Sequence, residues 1–319
     1  MQYRRLGNCG LQVSVVGYGS WLTMKRVSQS TSDELVRTAY ESGINFFDTA
    51  NVYGNGETER ILATSLQGFR RDTYVLATKV YFPYGNHPFE GVNDRGLSRK
   101  HVFEQCHRSL AQLQTDYIDL YQCHRFDENT PLVETCRAMN DLVVQGKVLY
   151  WGVSQWSADQ IRQAVEICNE HDWHRPRSNQ PQYNMLQRQS EAEVLPTCRQ
   201  LGLGVVAYSP LSQGVLTGKY APAHQPPTGS RAADGNLGQW MEKVLTAENL
   251  EIVGRLSKLA DGMRIRVSQL ALAWCLRRPE LSSCIVGATR PEQLAENVKA
   301  AGVELDKDVL DRIKVILGE

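Results

Sequence analysis

The chain has 319 residues, long enough for one α/β barrel or for two ordinary domains. Lys plus Arg and Asp plus Glu number 35 each, so the formal net charge is zero, which excludes the basic footprint of a nucleic-acid or anionic-membrane binder. No stretch approaches the ~18 uninterrupted apolar residues of a membrane span, and the opening MQYRRLGNCG lacks the apolar core of a secretory signal. The 8 cysteines show neither a CxxC pair nor metal-ligand spacing, so reduced thiols, no metal and a cytoplasmic location are expected.

In chain order, 2-QYRRLGNCGLQVSV turns at its centre and reads as a β-hairpin, placed to cover the bottom of the domain. Short β-rich runs then alternate with amphipathic ones. The strands are 15-VVGYG, 44-INFFD, 74-YVLATKV, 117-YIDLYQ, 148-VLYWGVS, 178-SNQPQYN, 204-GVVAYS and 284-CIVGA; their helices begin at 33, 57, 98, 131, 157, 190, 266 and 291. Apolar strands alternating with helices predict an α/β fold in which a parallel sheet closes into a (β/α)8 TIM barrel, with residues 1–319 as one domain. A long Gly- and Pro-rich loop, 211–240, follows strand seven and is expected to act as a lid.

Chemistry in such a barrel collects where the strands end. Asp48 ends the second strand and Tyr53 follows it, Lys79 ends the third, and His124 follows the fourth. Each alone has an ordinary reading as a cap, a surface lysine or a packing histidine. Consecutive strand ends that bring all four to one rim point to a catalytic cluster. Residues 202-GLGVVA have the spacing of a dinucleotide-binding fingerprint, but the glycines precede the strand instead of linking a strand to a helix, so the motif is set aside.

The segments RRLGNCGLQVSVVGYGSW, GINFFDTANVYG, GLSRKHV, YWGVSQWS, YSPLSQGVLTGKY, QLALAWCL and IVGATRPEQLAEN resemble the aldo-keto reductases across nearly the whole chain. The resemblance is closest to the branch holding potassium-channel β-subunits and their soluble bacterial relatives. It implies a catalytic tetrad of Asp48, Tyr53, Lys79 and His124. Reduction of a carbonyl needs a proton donor beside the developing alkoxide. Tyr53 suits that part, with Lys79 expected to lower the phenol's pKa, Asp48 to hold Lys79, and His124 to orient the carbonyl.

The resemblance also implies an extended nicotinamide dinucleotide across the mouth. Tyr208 would stack on the nicotinamide and Ser154 and Gln180 would hold its carboxamide, while Ser20, Trp21, Asp48 and Gln155 line the same region. The pyrophosphate would lie under Ser209, Pro210, Leu211, Ser212, Gly214 and Lys219, with Arg231 reaching in. Gly287, Thr289, Gln293, Glu296 and Asn297 would take the adenosine half. Residues 289–292 have Thr-x-x-Glu capping spacing before Pro291, and Arg290 at that helix start favours NADPH over NADH.

Trp21, Tyr53, Phe82, His124 and Trp156 are candidates for an aromatic-lined substrate pocket, which the individual loop 81–96 could reshape. The leading expectation is an NADPH-dependent reductase of small aldehydes or ketones, with a homo-oligomer possible and no nucleic-acid or membrane partner. The alternative is a nucleotide-sensing, channel β-subunit-like regulatory protein. His124, where channel subunits usually carry asparagine, and a start close to the hairpin, without their frequent N-terminal extension, favour the reductase.

Overall fold

The computed structural model of the protein describes residues 1–84, 91–220, 225–227, 230–234 and 241–318. Strands β1 (Tyr3–Arg5) and β2 (Gln12–Ser14) form the expected antiparallel hairpin. Eight further strands are parallel: β3 (Val16–Gly19), β4 (Phe46–Asp48), β5 (Val75–Val80), β6 (Ile118–Cys123), β7 (Val148–Ser154), β8 (Ser178–Gln180), β9 (Gly204–Ala207) and β10 (Leu281–Val286). They close into a barrel in the order β10-β3-β4-β5-β6-β7-β8-β9. Helices cover the outer face of the sheet and side chains fill its inner face, which is why β3, β5, β6, β9 and β10 are buried at every residue.

The hairpin seals the lower end. Leu6, Cys9 and Val13 pack with Phe46, Val75, Ala77, Leu120, Val206 and Ile285 in an inner core separate from the main one. Arg4 donates to the carbonyls of Leu276 and Leu281, each at 2.8 Å, and tethers the hairpin to the barrel. Gly7 has a φ of +62°, and a Cβ there would lie 2.3 Å from the Gly202 carbonyl oxygen, so only glycine permits this approach.

The helices are α1 (Gln29–Glu41), α2 (Glu57–Leu66), α3 (Arg99–Leu113), α4 (Leu132–Val144), α5 (Ala158–Glu170), α6 (Val194–Leu201), α7 (Ala247–Gly262), α8 (Val267–Leu276), α9 (Pro291–Val298) and α10 (Lys307–Leu317). Side-chain caps start several of them: Ser28, Ser98, Thr246, Asp306, and Ser157 in a full capping box with Gln160. Two helices were not expected. α7 follows the Gly/Pro-rich loop and, with α10, lies outside the strand–helix alternation; α7 packs on α8, whose residues are all buried, and α10 packs on α7.

Gly202 ends α6 and Gly204 opens β9, so the GLGVVA motif runs from helix to strand, as its rejection requires. The lid expected over 211–240 falls partly on residues 221–224, 228–229 and 235–240, outside the described residues. Its first turn, Ser212–Thr217, is a short 3-10 helix that buries Val215 and Leu216. Among the described residues no helix is long and apolar enough to cross a membrane, and no cluster of His, Cys, Asp or Glu could hold a metal.

Candidate active site

β4 and β5 pair with Asp48 opposite Ala77, which sets Lys79 one inward-facing step beyond Asp48 on the neighbouring strand. Lys79 is fully buried and Asp48 nearly so. The Lys79 Nζ donates to Asp48 Oδ1 at 2.5 Å and to the Thr49 carbonyl at 2.7 Å. The other Asp48 oxygen, Oδ2, accepts from Gln180 Nε2 at 2.9 Å and from Gln122 Nε2 at 3.3 Å. Four strands therefore converge on one carboxylate. Burial draws the Lys79 pKa down while the Asp48 charge opposes the shift.

Tyr53 follows in a turn that Gly54 (φ +59°), Asn55 (φ +55°) and Gly56 (φ +80°) wind into left-handed backbone before α2 begins. Its ring centroid lies 5.1 Å from Lys79 Nζ, 5.7 Å from the edge-on His124 ring and 6.4 Å from the Trp21 ring. The Tyr53 hydroxyl forms no hydrogen bond among the described residues. Its pKa is pushed well above the ordinary phenol range, by burial first and by the Asp48 charge second, with Arg125 partly opposing. This overturns the expectation that Lys79 lowers it: the Lys79 charge is compensated by Asp48, and desolvation wins.

His124 is 7% exposed, and its Nδ1 is buried without a hydrogen-bond partner. Burial and the nearby Lys79 and Arg125 charges hold its pKa well below the ordinary value, so the imidazole is neutral. Phe82 meets it edge-on at 5.1 Å. Trp21 and Phe82 are half-buried at the mouth, whereas Trp156 is 2% exposed and packs edge-on against Phe126 at 4.9 Å, inside the wall of the main core.

On the other side of the mouth, Ser154 Oγ donates to the Gln180 carbonyl at 2.9 Å. Gln180's own amide is turned to Asp48, as above. Gln155, in left-handed backbone, hydrogen-bonds the Tyr208 hydroxyl, which donates to Gln182 Oε1 at 3.4 Å. Beyond β9, Ser209, Ser212, Gln213 and Gly214 all have positive φ, winding the chain around the buried Pro210 and half-buried Leu211. The Ser212 Oγ is buried without a partner, as is the Ser20 Oγ on the facing segment. A Cβ on Gly214 would lie 3.2 Å from Lys219 Nζ.

Burial, then the charges of Arg231, Arg290 and Arg26, lower the Lys219 pKa. Arg26 is paired with Asp234 at 2.9 Å, and Arg231 bonds Gln213 and lies 5.9 Å from the Trp21 ring. Among the described residues no carboxylate pairs with Lys219, Arg231 or Arg290. Gly287 sits against Thr23, where a Cβ would approach to 2.9 Å. The capping expected from Thr289 and Glu292 does not form: Arg290 is the N-cap of α9 without a side-chain cap, and Thr289 turns its N–H and hydroxyl to Gln293 Oε1. Glu296 is engaged by Gln269 at 2.8 Å and Lys299 at 3.1 Å, and Asn297 is buried.

Three residues near this site were missed by the sequence reading. Gln122 lies two before His124 on β6, so strand alternation already places it facing Asp48. Arg125 carried only its position two beyond a strand end. Glu59, buried on α2 and bonded by the Thr78 hydroxyl at 2.6 Å, carried no signal.

A closed parallel barrel with a buried carboxylate–ammonium pair, a phenol and a neutral imidazole at its C-terminal mouth belongs to the barrel oxidoreductases. The chain belongs to the aldo/keto reductase family, whose model matches residues 15–317. It is 41% identical to a probable voltage-gated potassium channel subunit beta of Oryza sativa subsp. japonica, over 99% of this chain and 97% of that protein. Identity to the Arabidopsis thaliana protein of the same name is 40%, with the same coverage. A putative voltage-gated potassium channel subunit beta of Schizosaccharomyces pombe is 38% identical over 99% of this chain and 93% of its own length. Because the plant relatives align over nearly their full length, an N-terminal extension does not separate this chain from them.

Proposed function

We propose that the protein, acting as a single domain, reduces aldehydes or ketones to alcohols with NADPH. The observation that carries this reading is the unbonded Tyr53 hydroxyl set among a compensated Lys79–Asp48 pair and a neutral His124. The donor set also suits the cofactor: Ser212 and Ser20 hydroxyls and three cations that, among the described residues, have no hydrogen-bond or carboxylate partner respectively match a phosphate-bearing dinucleotide. Lys219, Arg231 and Arg290 would hold its phosphates, Tyr208, Ser154 and Gln155 its nicotinamide end, and Thr289, Gln293 and Asn297 its adenosine end. When bound, the cofactor supplies hydride to the carbonyl carbon.

The chain's own groups handle the oxygen. Tyr53, fully protonated at neutral pH, gives its proton to the developing alkoxide. Lys79, 5.1 Å from the ring, stabilises the phenolate left behind, and Asp48 fixes Lys79 in place. Neutral His124 hydrogen-bonds the carbonyl oxygen and sets which face is presented. Free, buried cysteines suit a reducing, cytoplasmic setting.

A second reading, a nucleotide-sensing regulatory subunit, is favoured by the names of the relatives. A panel of aldehydes and ketones scored by NADPH oxidation, with NADH in parallel, separates the two. Turnover of at least one carbonyl supports the reductase; tight NADPH binding with no oxidation across the panel transfers the assignment to the second reading.

A further inference from the structure

Arg125 stands two residues past the end of β6, at the mouth, and no role has been given to its charge. Its only hydrogen bond among the described residues runs from Nη1 to the His124 carbonyl at 2.6 Å, which leaves most of its N–H donors unused. No carboxylate pairs with it among the described residues. Asp127, two residues on, is taken up by the N–H groups of Leu97 at 2.7 Å and Asn129 at 3.0 Å and by the Thr130 hydroxyl at 2.7 Å. The guanidinium is 5.5 Å from the centre of the Phe82 ring, which itself meets His124 at 5.1 Å. Its charge acts on Tyr53, Lys79, His124 and Tyr208, so it stands near the reacting groups.

The cofactor phosphates do not account for it. Lys219 and Arg231 follow β9 and Arg290 follows β10, and in the closed order of strands β6 lies diametrically across from β10. Arg125 is therefore a cation on the opposite side of the mouth whose charge bears on Tyr53.

We propose that Arg125 is a specificity-determining residue that seats an anionic group, carboxylate or phosphate, so that the preferred substrates are aldehydes and ketones carrying a negative charge a few bonds from the carbonyl. The inference rests on the carbonyl-reductase reading and names its substrate class. Phe82 supplies an apolar wall between the anion and the carbonyl. A planar guanidinium matches either anion with two parallel hydrogen bonds.

The NADPH-loaded enzyme is tested with two matched pairs: 4-carboxybenzaldehyde against methyl 4-formylbenzoate, and 4-formylphenyl phosphate against 4-methoxybenzaldehyde. Wild type is expected to favour the charged member in kcat/KM, and the pair with the larger ratio identifies carboxylate or phosphate as the better anion. Arg125→Gln should shrink that ratio by about tenfold to a hundredfold, and Arg125→Lys should restore part of it. An unchanged ratio in Arg125→Gln, or a wild type that favours the neutral member of both pairs, overturns the proposal. Absence of turnover for every carbonyl defeats the reductase reading instead. The anion seat is then judged by calorimetry with benzoate and phenyl phosphate: weaker binding to Arg125→Gln supports it, and equal binding overturns it.

Discussion

Lys79 and Lys219 both serve the mouth of the barrel, yet their surroundings handle charge in opposite ways. Lys79 is fully buried, 2.5 Å from Asp48, whose remaining oxygen is held by two glutamine amides. Lys219 lies partly exposed among Arg231, Arg290 and Arg26, and among the described residues only Arg26 of these has a carboxylate partner, Asp234. The first region is electrostatically complete without a ligand, because a buried ion pair that lost a partner would cost several kcal/mol. The second is left with like charges that an anion would relieve. A proton-transfer site has to be preorganised before substrate arrives, whereas a binding site gains affinity by being incomplete.

The largest effect should come from breaking the completed side at its free group. Tyr53→Phe keeps the ring and loses the hydroxyl, so turnover is expected to fall by about 10² to 10⁴-fold while the NADPH dissociation constant, read by fluorescence quenching, stays within about twofold. Comparable turnover in the variant would remove Tyr53 from the chemistry.

Next is the cost of charge behind β5. Burial raises the Glu59 pKa from 4.5 to about 7, only partly offset by the Thr78 hydroxyl. The folded protein thus holds this proton more tightly than the unfolded chain. The group's contribution is fully present below about pH 4.5 and is lost as pH rises through about 7. On the order of 3 kcal/mol is at stake. Glu59→Gln should flatten the stability–pH curve across that window in urea melts; an unaltered curve would mean that Glu59 ionises freely.

Within the tetrad, His124→Asn keeps a hydrogen-bond donor but alters its reach, and carbonyl reduction is expected to slow by about a hundredfold with cofactor affinity intact. Equal rates would erase the distinction between this chain and the channel-subunit pattern. The smallest effect belongs to the incomplete side. Arg290 is exposed at the start of α9, so Arg290→Ala should weaken NADPH by about tenfold, the low end for a charged contact. NADH, lacking the extra phosphate, should change by less than about twofold at the same salt. Equal weakening of both would assign Arg290 to loop folding.

The barrel was legible because strand–helix alternation is a repeating signal, and eight repeats leave little freedom in closure. The meeting of Asp48, Tyr53, Lys79 and His124 was legible for the same reason, since strand ends locate the mouth. What escaped depended on three-dimensional neighbours. The raised Tyr53 pKa follows from burial and from Asp48, neither of which is written in the spacing of Lys79 and Tyr53. α9 starts at Pro291 as read, but the capping from Thr289 does not form because its N–H and hydroxyl turn to Gln293, one turn along the helix. α7 and α10 escaped because they stand outside the alternation that revealed the rest.

The hairpin plug has a kinetic meaning. Side chains pack the inside of the barrel and Leu6, Cys9 and Val13 close its lower end, so whatever reaches Tyr53 must arrive and depart through the same opening. Two molecules that share a single doorway cannot pass each other freely. If a dinucleotide lies along the wall as proposed, it would have to enter before its carbonyl companion and leave after it, because the far end of the molecule offers no second way out.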